Sequence, residues 1–331
     1  MSKILPEKYK HPYAFNPKYK KSAVYFSMEF AIDQSLKIYS GGLGFLAGSH
    51  MRSAYDLKQN VVGIGILWKK GYYDQYKQED LSMGVLFQEK IYHFLEDTNI
   101  KFTIKINNHD VWVTAYYLNP KTFGTVPMFF LSTDLPENDY LAKSTTFRLY
   151  DSDPMAKIAQ TMVLGLGGAK LLDALDYEPD VYHLNEAHAL SCVFHLYNKF
   201  KSVEAIRKKM VFTTHTPEEA GNEKHNIHLL ESLSFFDGIP LNKVREITGI
   251  WDDTFNHTLV GLRMSHIANG VSKLHGEVSR DMWKGHPGIC PIIHITNAQN
   301  KKYWADAWLD EAFENKDREA LIKRKTRLKS K

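Results

Sequence analysis

Three stretches of this chain carry Gly, His, Asn and Glu where a plain core would carry Leu and Val. The first is Ser27-Met28-Glu29-Phe30, followed by Tyr39-Ser40-Gly41-Gly42-Leu43-Gly44 at the opening of an expected helix. Glycines let a backbone approach a ligand closely, and the N–H groups at a helix start favour an anionic or hydroxyl-rich partner. By itself a Gly-Gly-x-Gly turn also describes simple close packing. The second stretch is His183-Leu184-Asn185-Glu186-Ala187-His188, where a strand is expected to end and a helix to begin, with Asn185 near the N-cap and His188 in the first turn. Two His and a Glu suggest zinc, but His183 and His188 lack the i, i+4 spacing of a helical zinc pair, so no metal is expected. A hydrogen-bonded cap and a ligand contact both stay open. The third stretch is Phe212-Thr213-Thr214-His215-Thr216-Pro217. Its imidazole projects from a turn whose backbone Pro217 largely fixes, which favours a positioned hydrogen-bonding group over packing. The acidic run Glu218–Glu223 reads as loop surface, and Ala268–Gly276, with helical apolar spacing and small residues, as a helix packed closely on a sheet.

Each chemical stretch lies at the end of an expected strand, where ligands collect in open α/β sheets. Ala23–Ser27 and Val61–Leu67 are short apolar runs of strand length, and Gly44–Leu57 between them has helix composition. Alternation with turn signals over Lys101–Ile106, Val111–Tyr117 and Met128–Leu131 predicts an antiparallel meander. Beyond Asp153 the pattern predicts a helix over Pro154–Ala174, a strand over Asp180–Leu184, a helix over Glu186–Lys199 and a strand over Lys209–Thr213. Leu259–Trp283 reads as one or two further helices, and Trp304–Lys331 as a charged amphipathic helix. The fold class is therefore α/β, with a Rossmann-like, mostly parallel sheet and an inserted antiparallel meander. The first twenty or so residues lack periodicity and read as an arm draped over the body.

With 331 residues, 44% hydrophobic and 24% charged, the chain is neither disordered nor collagen-like. A net charge of +4 is too small and too dispersed for a nucleic-acid binder, and the basic end from Lys316 reads as a solvated helix end. The longest apolar run, Val61–Trp68, is far shorter than the roughly 20 residues of a bilayer span, and the start lacks the apolar stretch of a secretion signal. A cytoplasmic protein is expected, with no membrane partner. Cys192 and Cys290, each among apolar neighbours and outside any Cys-x-x-Cys spacing, are expected to be buried free thiols.

Taken in order, these segments resemble the α-glucan phosphorylases, the retaining glycosyltransferases of glycogen, starch and maltodextrin. The resemblance rests on Tyr25-Phe-Ser-Met-Glu-Phe30, Tyr39-Ser-Gly-Gly-Leu-Gly-Phe-Leu-Ala-Gly48, and Gly63-Ile-Gly-Ile-Leu-Trp-Lys-Lys-Gly-Tyr-Tyr-Asp-Gln75. It continues through Gln160–Gly168, Tyr182–His188, Thr213–Pro217 and Ala268–His275. Its spacing is similar to the short bacterial branch. The resemblance implies the N-terminal half of a two-domain, GT-B type enzyme, with an arm at 1–22, a Rossmann-like domain at 23–297, and a helical connection at 298–331 toward a C-terminal domain. The family's crossing motif Ile-Thr-Asn-Gly-Val-His stands here as Ile295-Thr-Asn-Ala-Gln-Asn300.

What the family does is phosphorolysis of α-1,4-glucan ends to glucose 1-phosphate, so glucan and phosphate are the implied partners, with a C-terminal phosphorylase domain or a homo-oligomer. Pyridoxal phosphate is the implied cofactor. Its lysine and the cationic cluster that grips phosphate belong to the second domain and have no counterpart here, so this chain alone is expected to be inactive. His215 matches the family histidine whose ring bonds a sugar hydroxyl and whose carbonyl faces the anomeric carbon. Gly41, Gly42 and Leu43 match the backbone cradle for phosphate, sugar and cofactor ring, Glu29 braces that cradle, and Thr216 adjoins the sugar. Asn185 and His188 are expected on the cofactor side. Two other readings compete: a glucan- or partner-binding module without turnover, and a nucleotide-sugar glucan synthase-like transferase. The Tyr-Phe-Ser-Met-Glu-Phe and Thr-His-Thr-Pro contexts argue against the synthase.

Overall fold

A computed structural model describes residues 2–19 and 21–330. The strands are β1 (Ala23–Phe26), β2 (Val61–Ile66), β3 (Asp74–Lys77), β4 (Met83–Leu86), β5 (Leu95–Ile106), β6 (His109–Leu118) and β7 (Met128–Ser132). They continue as β8 (Val181–Asn185), β9 (Met210–Thr213), β10 (Lys224–Asn226), β11 (Thr254–Asn256), β12 (Ile267–Gly270) and β13 (Ile292–His294). One nine-stranded sheet runs β13-β12-β9-β8-β1-β2-β7-β6-β5, with β3–β4 and β10–β11 as separate two-stranded pairs. From β13 to β7 the pairing is parallel, and β6 and β5 then run antiparallel at the edge. The meander is thus an extension of the main sheet rather than a separate layer. Fully buried strands such as Val61–Ile66 read as continuous apolar runs because helices cover both faces.

β1, β8 and β9 are adjacent and parallel, so Phe26, Asn185 and Thr213 all end on one rim. Helix Gly42–Asp56 starts beside that rim. Its approach depends on two glycines one turn apart. A Cβ on Gly48 would stand 2.0 Å from the Ala31 carbonyl oxygen, and one on Gly44 would stand 2.7 Å from a Glu29 carboxylate oxygen. The Ala31 N–H in turn donates to the Gly44 carbonyl at 2.8 Å. Another close approach holds the β8 exit. The expected helix 154–174 contains a π turn at Val163–Gly167, where Gly165 lies against the Ala189 carbonyl and the Ser191 hydroxyl. Ser191 accepts from the Leu166 N–H at 3.2 Å and donates to the Thr161 carbonyl.

Several sequence expectations need correction. Ile267–Gly270 is the largely buried strand β12, next to the edge strand β13 and followed at Ser272 by the N-cap of helix Lys273–Trp283, so Leu259–Trp283 is not purely helical. The small polar pair Asn269-Gly270 hides the strand signal, and pairing with β9 and β13 overrides local preference. No helix begins at Glu186: a short 3-10 turn at Ala187–Ala189 precedes helix Cys192–Phe200. The arm is partly core, since Leu5 and Tyr9 are buried and the Tyr9 ring lies 4.8 Å from Tyr117. Cys192 and Cys290 are buried free thiols, and burial pushes the Cys290 thiol up to about 11.

The chain divides into two compact units, residues 1–297 and 298–331. In the second, the helix expected over Trp304–Lys331 is two, Ala307–Glu314 and Arg318–Lys329, preceded by the short helix Lys301–Trp304, and each of the three is started by an Asn or Asp cap. Arg324 pairs with Asp306 inside this unit. Among the described residues no helix is long and apolar enough to cross a membrane.

Two stability outcomes follow. Gly48→Ala should lower the unfolding free energy by about 1–3 kcal/mol, the usual scale of overpacking against fixed backbone, and urea denaturation measures it. His195 bridges Asp173 at 2.6 Å and Asp237 at 3.2 Å. Burial opposes its charge, but the two carboxylates win and hold it up at about 9 against an ordinary 6.5. Its stabilisation is therefore complete below pH 6.5 and lost as pH rises through about 9. The same urea series in His195→Gln should lose that alkaline decline.

Candidate functional site

The carboxylate of Glu29, only 3% exposed, gathers donors from two distant segments. It accepts the Ser40 N–H at 2.6 Å, the Gly41 N–H at 3.1 Å, the Ser40 hydroxyl at 3.2 Å and the Tyr150 hydroxyl at 2.8 Å. These bonds pin the turn that starts helix Gly42–Asp56. No side chain caps that end, and a Cβ built on Gly41 or Gly42 would meet nothing within 4 Å. Among the described residues no side chain thus takes up the N–H groups of Gly42 and Leu43, and the turn around them is free of bulk, as an anion or hydroxyl site requires.

Asn185 is the last residue of β8 and does not act as an N-cap. Both ends of its amide are engaged: Nδ2 donates to the Ser27 hydroxyl at 3.1 Å, and Oδ1 meets His215 Nε2 at 2.7 Å. Ser27 in turn donates to the Glu29 carbonyl at 2.8 Å. The glycine turn and His215 are thus linked through Glu29, Ser27 and Asn185 on one rim. Burial, with His275 and His188 nearby, pushes His215 down to about 4, so the ring is neutral near pH 7.

Glu186 holds the turn that carries His215. Its carboxylate accepts the His215 N–H and, at 3.4 Å, the Thr216 hydroxyl. Burial pushes its carboxyl up to about 7. Its backbone sits at φ 62 and ψ −178, a region that glycine ordinarily occupies, so this turn stores strain beside the candidate site. His188 lies in the 3-10 turn with its ring 6.1 Å from Tyr150 and its buried Nδ1 without a partner among the described residues. Burial pushes its pKa down. The β9–β12 side is braced by Thr213, which donates to Asn269 Oδ1 at 2.8 Å and meets His183 Nε2 at 2.7 Å. His275 receives the Val271 N–H on Nδ1, and its buried Nε2 has no partner among the described residues.

The structure thus brings Glu29, Gly41, Gly42, Leu43, Asn185, His188, His215 and Thr216 to one rim, with Asn185 and Thr216 turned toward other protein groups. Sequence reasoning missed Ser27, Tyr150, Glu186, Asn269 and His275. Ser27, Glu186, Asn269 and His275 stood inside the quoted motifs, but nothing local marks Tyr150. Among the described residues no group of His, Cys, Asp and Glu is arranged to hold a metal ion.

No family model matches the chain. It is 34% identical over 314 residues to a maltodextrin phosphorylase of Thermococcus litoralis, covering 87% of this chain and 37% of that protein. It is 31% identical over 321 residues to a glycogen phosphorylase of Aquifex aeolicus, covering 89% of this chain and 46% of that one. An uncharacterized protein of Methanocaldococcus jannaschii is 45% identical over 309 residues, covering 93% of this chain and 59% of that protein. The chain thus spans 37–59% of the length of these relatives. An α/β chain with a polar rim of this kind is, by these relationships, a partial phosphorylase-like protein.

Replacing Glu29 by Ala removes the common acceptor of four donors. Hydrogen bonds to a charged group are worth about 1.5–3 kcal/mol each, so amide exchange at Ser40 and Gly41 should accelerate by at least tenfold. Unchanged protection at both amides would show that something else holds the turn.

Proposed function

We propose that this chain is the N-terminal, glucan-facing part of an α-glucan phosphorylase, one Rossmann-like half of a GT-B arrangement, serving phosphorolysis of α-1,4-glucan ends to glucose 1-phosphate. The observation that carries the reading is the linkage of the open glycine turn to a neutral imidazole on one sheet rim, in a chain related to phosphorylases.

In this reading His215 orients the terminal sugar through its ring, and its carbonyl dipole lies beside the positive charge that develops at the anomeric carbon. The N–H groups of Gly42 and Leu43 hold phosphate or a sugar hydroxyl. Glu29 keeps those donors fixed, so no reorganisation is needed at the moment of reaction. The open backbone at Gly41 and the unpartnered Nδ1 of His188 fit a polar cofactor on one side of a cleft. Pyridoxal phosphate bound there would supply a phosphate that acts through the substrate phosphate, the proton donor to the glycosidic oxygen. Gly41 and His188 would line its side, with Asn185 behind His215. The lysine that carries it is assigned to the second domain, which makes turnover a property of the two parts together.

With maltodextrin, phosphate and pyridoxal phosphate, the chain alone should release no glucose 1-phosphate, and addition of a phosphorylase C-terminal domain should restore release. Turnover by the chain alone would overturn the assignment of essential groups to that domain. In the restored enzyme, His215→Ala should lower kcat by about 100-fold or more, the scale of losing one aligned transition-state contact, with little change in glucan affinity. An unchanged kcat would remove His215 from the site.

A further inference from the structure

The two side chains behind His215 decide which of its ring nitrogens carries the proton. Ser27 and Asn185 are 0% and 1% exposed, so water does not compete for their bonds. The Ser27 hydroxyl has one hydrogen and gives it to the Glu29 carbonyl at 2.8 Å. Toward Asn185 it can then only accept, which fixes the amide with Nδ2 facing Ser27 and Oδ1 facing the imidazole. A carbonyl oxygen 2.7 Å from Nε2 requires a proton on that nitrogen.

In a neutral imidazole the other nitrogen is then bare. No partner within the described chain engages His215 Nδ1, and the ring is half-buried rather than enclosed. The backbone beneath is held separately, by Glu186 on the His215 N–H. The ring and its turn are thus fixed by two different acidic residues through two different routes. Glu29 acts through its main-chain carbonyl while its carboxylate holds the glycine turn. One residue is therefore bonded both to the glycine turn and, through Ser27 and Asn185, to the ring.

We propose that Ser27 and Asn185 are positioning residues that lock His215 in its Nε2–H tautomer, so that Nδ1 is a standing acceptor which a ligand must meet with a hydroxyl. The ligand class rests on the carbohydrate reading above, whereas the tautomer does not. Without the relay the ring would exchange between tautomers. The protonated-Nδ1 form would then face a ligand hydroxyl with a donor instead of an acceptor.

The test is made on the whole chain without ligand. Protein labelled with 15N-histidine is examined at pH 7 by long-range 1H–15N correlation, with the His215 signals identified by their loss in His215→Gln. Nδ1 should resonate as an unprotonated nitrogen and Nε2 as a protonated one. Ser27→Ala, which frees the amide to turn, and Asn185→Leu, which removes the acceptor, should each move both signals toward the average of exchanging tautomers. A protonated Nδ1 in the native chain overturns the proposal, as do two folded variants that leave the signals unmoved. If one variant fails to fold, the other decides: a folded variant whose signals stay unmoved overturns the relay, and one whose signals shift supports it. The expected tautomer with no response to added maltoheptaose supports the relay and refutes the carbohydrate reading alone.

Discussion

Everything at the candidate site depends on burying one carboxylate at the end of β1. A buried carboxylate is costly unless donors surround it, and Glu29 is surrounded by two backbone N–H groups and the hydroxyls of Ser40 and Tyr150. Those donors come from the segment before helix Gly42–Asp56 and from a residue 121 positions away in sequence. Satisfying the carboxylate therefore closes the rim: it cannot be paired without bringing the glycine turn and the Tyr150 segment against the β1 exit. The cost of the buried charge becomes the force that orders the turn.

The parallel sheet supplies the rest. β1, β8 and β9 are neighbours in register, so their exits deliver Ser27, Asn185 and Thr213 side by side. Small residues set the spacing at which the covering helices approach. Gly44 and Gly48 admit the first helix, and Gly165 within the π turn admits the segment after Asn185. Larger side chains at these positions would separate the rim before they altered any residue on it. Strain at Glu186 and the unpartnered nitrogens of His188 and His275 lie at the same end of the sheet, where polar groups left without protein partners are matched by ligand or water.

Much of this was legible in the sequence because the decisive signals are local. Continuous apolar runs marked β1 and β2, alternation marked β5 and β6, and Gly, His and Asn clusters at strand ends marked the rim. What could not be read locally is what depends on partners. β12 looked helical because Asn269 and Gly270 interrupt its apolar character, and only its two neighbours make it a strand. Asn185 looked like a cap because Asn before a helix usually is one, but its amide is spent between Ser27 and His215. Tyr150 carries no pattern at all, and His275, though inside the motif Ala268–His275, carries no local sign of its role. Their importance is created by Glu29 and Val271, and appears only when the chain is folded.

The central claim is that the glycine turn and His215 form one wall for one ligand. The most direct measurement is a maltoheptaose titration that follows the backbone amides of Gly41 and Gly42 together with the His215 ring by NMR. The account predicts that all three respond, with a common saturation curve. A response confined to one side of the rim, or two curves with different midpoints, would contradict it.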